Sequence, residues 1–141
     1  AVKHAVGLPV IANGDIDSTE KAHQVLRQTN ADAVMIGRAA QGQPWLFKQV
    51  ADYLENGAYQ AIPCVDIRAN TIIDHVSSIH HFYGEGLGIR LARKHIKWYL
   101  SHWHAEIEPT LRHRISTTDD AALQRALLTD FILGSVDTIA A

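Results

Sequence analysis

Two glycine-led breaks, Asn13-Gly14-Asp15-Ile16 and Gly37-Arg38-Ala39-Ala40, constrain what this chain can fold into more than any other feature. Each follows a short, nearly continuous apolar run: Leu8-Pro9-Val10-Ile11-Ala12 before the first, Ala33-Val34-Met35-Ile36 before the second. Such runs suit parallel strands buried on both faces, and Pro9 is tolerated at the first residue of a strand. Between the breaks a helix is expected near 18–29, with Asp17 as N-cap, Glu20 as its reciprocal partner, and Ala22, Val25, Leu26 and Thr29 at helical spacing. Pro44 opens a further helix carrying Trp45, Leu46, Val50, Tyr53 and Leu54, closed by Asn56-Gly57. Strand, helix, strand, helix in this order requires parallel pairing with a helical crossover.

Two parallel strands with open edges do not hold a core alone. A complete (β/α)8 barrel needs roughly 200–250 residues, more than the 141 present. The expected fold is therefore α/β then all-α: the last two βα units of a TIM barrel followed by a small helical bundle. The chain is expected to be the back part of a longer enzyme. The domain reading is 1–57 for the barrel portion, 58–66 for an aperiodic linker containing Pro63 and Cys64, and 67–141 for the helical domain.

Paired glycine turns after parallel strands can grip one phosphate between them. Gly14 and Gly37 let the backbone approach a ligand because no Cβ intervenes, and backbone N–H groups aimed from a strand end toward a helix start favour an anion. Arg38 adds a planar fork suited to phosphate oxygens. Asp15 repels phosphate, so its expected role is to cap or orient the loop or to accept a ligand hydroxyl. Asn13-Gly14-Asp15 alone reads as an ordinary turn; the pair, one βα unit apart with Arg38 after the second glycine, is the specific signal.

In the helical half, Asp66 is expected to cap a helix running to about Phe82, with Ile72, Ile73, Val76 and Ile79 inward. Gly84, Gly86 and Gly88 punctuate a turn before a second helix, about 87–103. Pro109 opens a short third segment, and Asp119 or Asp120 caps a last helix ended by Gly134. On the second helix, Arg90, Arg93, Lys94, Lys97, Ser101 and His104 fall in a sector roughly 100° wide. Ile89, Ala92, Ile96, Tyr99, Leu100 and Trp103 fill the sector beside it. No Asp or Glu lies between Glu85 and Glu106, so the local field attracts phosphate although the net charge is −2. On pattern alone, a solvated helix face is the plainer reading.

Other chemistries fare worse. The nine histidines lack ligand spacing and a Cys cluster, so no metal is expected. His95 is expected to pack in the domain core or to hydrogen-bond within its helix. Cys64, the only cysteine, excludes an internal disulfide, suits a reducing cytoplasm, and reads as inert rather than catalytic. No apolar run approaches the roughly 20 residues of a membrane span, and Ala1-Val2-Lys3-His4-Ala5-Val6 does not resemble a signal peptide.

Three tracts carry a family resemblance: Pro9 through Ile16, Gly37-Arg38-Ala39-Ala40-Gln41-Gly42-Gln43-Pro44-Trp45-Leu46-Phe47, and Ile89-Arg90-Leu91-Ala92-Arg93-Lys94-His95-Ile96-Lys97-Trp98-Tyr99. In this order they resemble the bacterial tRNA-dihydrouridine synthases, of the B type. The resemblance implies an FMN enzyme with a catalytic barrel and a tRNA-binding helical domain. NADPH would reduce the flavin, hydride would pass to C6 of a D-loop uridine, and a cysteine on an earlier barrel loop would protonate C5. It assigns Asn13, Gly14, Asp15, Gly37 and Arg38 to the FMN-phosphate loops, and Arg90, Arg93, Lys94 and Lys97 to the tRNA face. It assigns no catalytic residue to this chain, because the acid cysteine belongs to earlier strands and Cys64 lies after the barrel. The chain alone is thus expected not to catalyse. Two alternatives stand beside this: a non-catalytic, stand-alone RNA-binding fragment, and a different phosphate-binding barrel.

Overall fold

The structure, a computed structural model, describes residues 2–137. It divides into two compact units, Ala1–Ile62 and Pro63–Ala141. The first unit runs α1 (Val2–Ala5), β1 (Ile11–Asn13), α2 (Thr19–Thr29), β2 (Ala33–Met35), a 3-10 turn (Arg38–Ala40) and α3 (Leu46–Asn56). The second contains α4 (Val65–Ser101), α5 (Pro109–Thr117) and α6 (Ala121–Asp137).

β1 and β2 pair in parallel, with Ile11 opposite Ala33, Ala12 opposite Val34 and Asn13 opposite Met35. Side chains alternate across a strand. Ala12 and Val34 are half-buried, and Val34 packs against a small core of Ile16, Ala22, Leu46 and Val50. Ile11 and Met35 stand on the other face, 62% and 53% exposed. This differs from the expected burial on both faces: among the described residues of this unit, helices cover only one face of the sheet.

The helix starts refine the sequence reading. Ser18, not Asp17, is the N-cap of α2, its hydroxyl accepting from Lys21 N at 3.2 Å. Glu20 instead accepts from the Thr19 hydroxyl at 2.9 Å. Asn30 closes α2 in the left-handed conformation (φ 53°), and Gly57 closes α3 likewise (φ 68°). Asp32 ties α1 to the strands: Lys3 Nζ and Val10 N donate to its carboxylate at 2.7 and 2.6 Å. These bonds, Lys3 first, hold the Asp32 carboxyl below its usual range.

α4 is two helical arms joined at Gly84, whose φ of 72° and ψ of 169° break the helix. The arms fold back on each other. A Cβ at Gly88 would stand 2.9 Å from His80 Cα, and the His75 and His95 rings meet edge to face at 4.9 Å. The helix begins at Val65 with Cys64 in the N-cap position, so Asp66 lies in the first turn rather than capping it. It ends at Ser101, before Trp103 and His104. Glu108 caps α5 by accepting from Leu111 N at 3.1 Å. Asp120 caps α6 through Leu123 N at 3.0 Å, and α6 continues past Gly134.

One core unites these helices: Ala69, Ile72, Val76 and Ile79 from the first arm, Ala92, Ile96 and Tyr99 from the second, then Trp103, Ile107, Ile115, Leu128 and Ile132. A buried polar chain crosses it. Gln124 Oε1 meets His80 Nε2 at 2.9 Å, and Gln124 Nε2 donates to the Ile115 carbonyl at 2.9 Å.

The arms also enclose a titratable pair. Tyr99 Oη and His75 Nδ1 share a hydrogen bond of 2.8 Å, and His95 stacks edge to face on both His75 and Trp98. Burial pushes both histidine pKa values down, and charge on His75 and Lys94 lowers His95 further. The unfolded chain then binds more protons than the folded one as pH falls below the ordinary histidine value of about 6.5. Stability is therefore expected to be fully present above that pH and to decline below it. Urea titrations at a series of pH values should show the midpoint falling on acidification, with a shallower fall in His75→Phe. An equal slope in that variant would assign the acid lability elsewhere.

Candidate cofactor and nucleic-acid sites

In the first unit, the register sets both glycine turns at the same end of the sheet, because Asn13, the last residue of β1, lies opposite Met35, the last of β2. Asn13, Gly14, Asp15, Ile16, Asp17, Met35, Gly37, Arg38 and Ala39 line one open groove of about 870 Å3. All five residues predicted for this site are thus brought together. Open space lies where a Cβ of Gly14 or Gly37 would stand, so a ligand can reach the main chain at both turns. Arg38 Nη2 donates to Asp15 Oδ1 at 2.7 Å across the two turns. Asp15 sits at φ 42°, a left-handed conformation that aspartate tolerates better than most residues. Both side chains of this pair are 84% exposed, so the pair adds little stability.

The second unit places the basic stripe differently from a free helix face. Arg90, Arg93, Lys94, Ile96, Lys97, Leu100 and Ser101 of α4 and Arg112, Ile115 and Ser116 of α5 line a groove of about 510 Å3. Arg93 is engaged: its Nη2 donates to the Thr118 carbonyl at 3.1 Å and to Asp119 Oδ1 at 3.0 Å, holding the end of α5. Lys94 Nζ lies 4.9 Å from the Trp98 ring centroid, a cation–π contact. His104 leaves the stripe because α4 has ended; its Nε2 lies 3.3 Å from the Ser135 carbonyl of α6. Arg90, Lys97 and Arg112 are exposed, and among the described residues none of them joins an ion pair.

Sequence reasoning missed Arg112 and Ser116. The signal available was Arg112-His113-Arg114 just after Pro109; only packing shows that α5 brings Arg112 to the groove beside α4. Among the described residues no group of three His, Cys, Asp or Glu could hold a metal ion, and no helix is long and apolar enough to cross a membrane. Cys64 is exposed.

A parallel βα pair with two glycine turns at one sheet end, one of them carrying an arginine, makes this unit an α/β arrangement with both turns open to a common groove. The comparisons make the class specific. The profile of the dihydrouridine synthase (Dus) family matches residues 1–133. The chain is 50% identical over 125 residues to tRNA-dihydrouridine synthase B of Vibrio parahaemolyticus, covering 88% of this chain and 38% of that protein. It is 55% identical over 98 residues to tRNA-dihydrouridine synthase B of Xanthomonas campestris, covering 70% and 30%. Its identity to tRNA-dihydrouridine synthase B of Pectobacterium carotovorum is 47% over 125 residues, covering 88% and 38%. The chain belongs to the dihydrouridine synthase family. It spans less than two-fifths of the length of these relatives.

Proposed function

We propose that this segment is the C-terminal part of a tRNA-dihydrouridine synthase, a flavin enzyme of the cytoplasm that reduces a D-loop uridine of tRNA to 5,6-dihydrouridine with FMN and NADPH. The observation that carries the reading is the meeting of Gly14, Gly37 and Arg38 in one groove at one end of a parallel strand pair. The bare sheet face bearing Ile11 and Met35 is the face that a closed barrel turns inward, where side chains from other strands fill it. Residues 1–57 then supply the end of that barrel, residues 58–64 the connection, two residues shorter than expected because α4 begins at Val65, and the helices that follow the domain that holds tRNA.

The site fits a phosphate monoester. Its backbone is open at both glycines, and Arg38 is matched with a carboxylate that a phosphate can replace. In the proposed complex Gly14 and Gly37 admit the phosphate to the main chain, Asn13 donates from its amide, and Arg38 exchanges Asp15 for phosphate oxygen. Asp15 is then free to accept from a ribityl hydroxyl. When bound, FMN supplies the hydride that reduces the uracil C5–C6 bond. The acid that completes the reduction is assigned to a cysteine outside this segment, since Cys64 is an exposed residue beside the start of α4.

In a full-length synthase carrying these residues, Arg38→Ala is expected to weaken FMN retention by roughly tenfold or more, a charge-assisted contact to phosphate contributing about 1.5–3 kcal/mol. RNA affinity should be unchanged. Flavin content after gel filtration and the affinity for riboflavin, which lacks the phosphate, check this. Equal flavin content in the variant, or equal affinity for FMN and riboflavin, would remove Arg38 from the phosphate site.

A further inference from the structure

The groove between the second arm of α4 and α5 has a composition that a simple phosphate-attracting helix face does not need. Its floor is apolar, made by Ile96, Leu100 and Ile115, and its rim is cationic, with Arg90 and Lys97 on one side and Arg112 on the other. Among the described residues no acidic one lines it. At about 510 Å3 it falls within the roughly 300–1,000 Å3 of sites that enclose small organic groups. A duplex backbone laid on a surface needs only exposed cations; an apolar floor beneath cations suits a flat, unstacked base whose own phosphates reach the rim.

One further contact fixes the groove's shape. Arg93 ties the α4 wall to the end of α5 through the Thr118 carbonyl and Asp119. Ser101 and Ser116 spend their hydroxyl protons on the Trp98 and Arg112 carbonyls, at 2.7 and 2.8 Å. Their oxygens are left as acceptors, the complement of an imide or amino N–H on a base edge.

Building on the RNA-binding reading above, we propose that this groove is a subsite for one unstacked nucleotide of RNA. The base lies on Ile96, Leu100 and Ile115, the flanking phosphates meet Arg90, Lys97 and Arg112, and Arg93 acts as a positioning residue that contacts no phosphate.

The test uses the whole chain and a single-stranded oligouridylate carrying one 4-thiouridine. Irradiation should crosslink the thio-base to peptides containing residues 96–101 or 112–116. Arg112→Gln should lower the slope of log affinity against log salt by about 0.7, the value of one phosphate contact on a single strand. Ser116→Trp, which fills the groove from its exposed rim, should cut the crosslink yield by about tenfold, equivalent to roughly 1.4 kcal/mol, with an unchanged circular dichroism spectrum. If Ser116→Trp fails to fold, the exposed Arg112→Gln and Lys97→Gln carry the test.

RNA binding that survives with crosslinks mapping elsewhere and an unchanged slope in Arg112→Gln overturns the subsite and leaves the RNA reading standing. A salt-independent or absent RNA interaction overturns both. Equal affinity for polyglutamate of matched charge also overturns the subsite, since an anion channel would then suffice.

Discussion

Replacing Gln124 with leucine is expected to lower the unfolding free energy by about 2–5 kcal/mol, although leucine is close in size and the site is fully buried. Gln124 is 0% exposed and satisfies two partners at once: His80 Nε2 on α4 and the Ile115 carbonyl on α5. Each buried polar group left without a partner costs about 1–3 kcal/mol. His80 has little reserve, because its Nδ1 is already buried without a partner. Leucine removes no volume worth a large cavity term, so the loss measures the polar chain itself. Urea unfolding at constant m-value reads it. In His80→Leu/Gln124→Leu both ends of one bond become apolar, and the double variant should recover part of the loss, a coupling visible in a double-mutant cycle. A single-variant loss under about 0.5 kcal/mol, the scale of an ordinary surface change, would show that water replaces the amide.

The same polar chain shows where sequence reading stops. The helices of the second unit were legible because Ile72, Val76 and Ile79, and later Ile89, Ala92, Ile96 and Tyr99, repeat at helical spacing and are in fact buried. Pro109 and Asp120 start α5 and α6 as local chemistry requires. His80 and Gln124 lie on the apolar stripes of their helices, four residues after Val76 and four before Leu128, a spacing that marks them as inward-facing but not as partners; only the packing of α6 on α4 pairs them. Gly134 misled for a related reason: glycine stops a helix only where the chain must turn, and here α6 continues.

The candidate sites divide in the same manner. In the first unit the glycine turns were readable because strand, break and helix follow one another locally, and parallel register does the rest. What could not be read was the Arg38–Asp15 pair at 2.7 Å, since the two residues lie on different turns. In the second unit a helical wheel grouped Arg90, Arg93, Lys94 and Lys97 correctly on α4 but treated them as equivalent. Packing separates them. Arg93 holds the end of α5, Lys94 lies over Trp98, and Arg90 and Lys97 remain exposed beside Arg112. The wheel also extended too far, because α4 ends at Ser101 and His104 turns toward α6.

Three glycines within five residues are expected to respond to alanine in three different ways, and Gly88 should respond most severely. A Cβ there would stand 2.9 Å from His80 Cα and 3.1 Å from the Ile79 carbonyl oxygen, both backbone atoms that cannot rotate away. The arms of α4 would have to separate, and overpacking of this kind costs about 1–3 kcal/mol or more. Gly86 has nothing within 4 Å of the corresponding position and no positive φ, so Gly86→Ala should stabilise by about 0.5–1 kcal/mol through helix propensity. Gly84 has equal space but a φ of 72° with a ψ of 169°, a region essentially confined to glycine, so Gly84→Ala should destabilise by about 1–3 kcal/mol through backbone strain alone. Thermal midpoints of the three variants give the ranking. Gly88→Ala should also weaken RNA binding more than its stability loss explains at a temperature where it remains folded, because the second arm carries Arg90, Lys97 and the Ile96 and Leu100 part of the groove floor. Gly84→Ala, whose strain is confined to the corner, should bind RNA as the parent chain does once folded. If Gly88→Ala proves as benign as Gly86→Ala, the close approach of the two arms is not what positions the groove, and its shape must be set by the Arg93 clamp on α5.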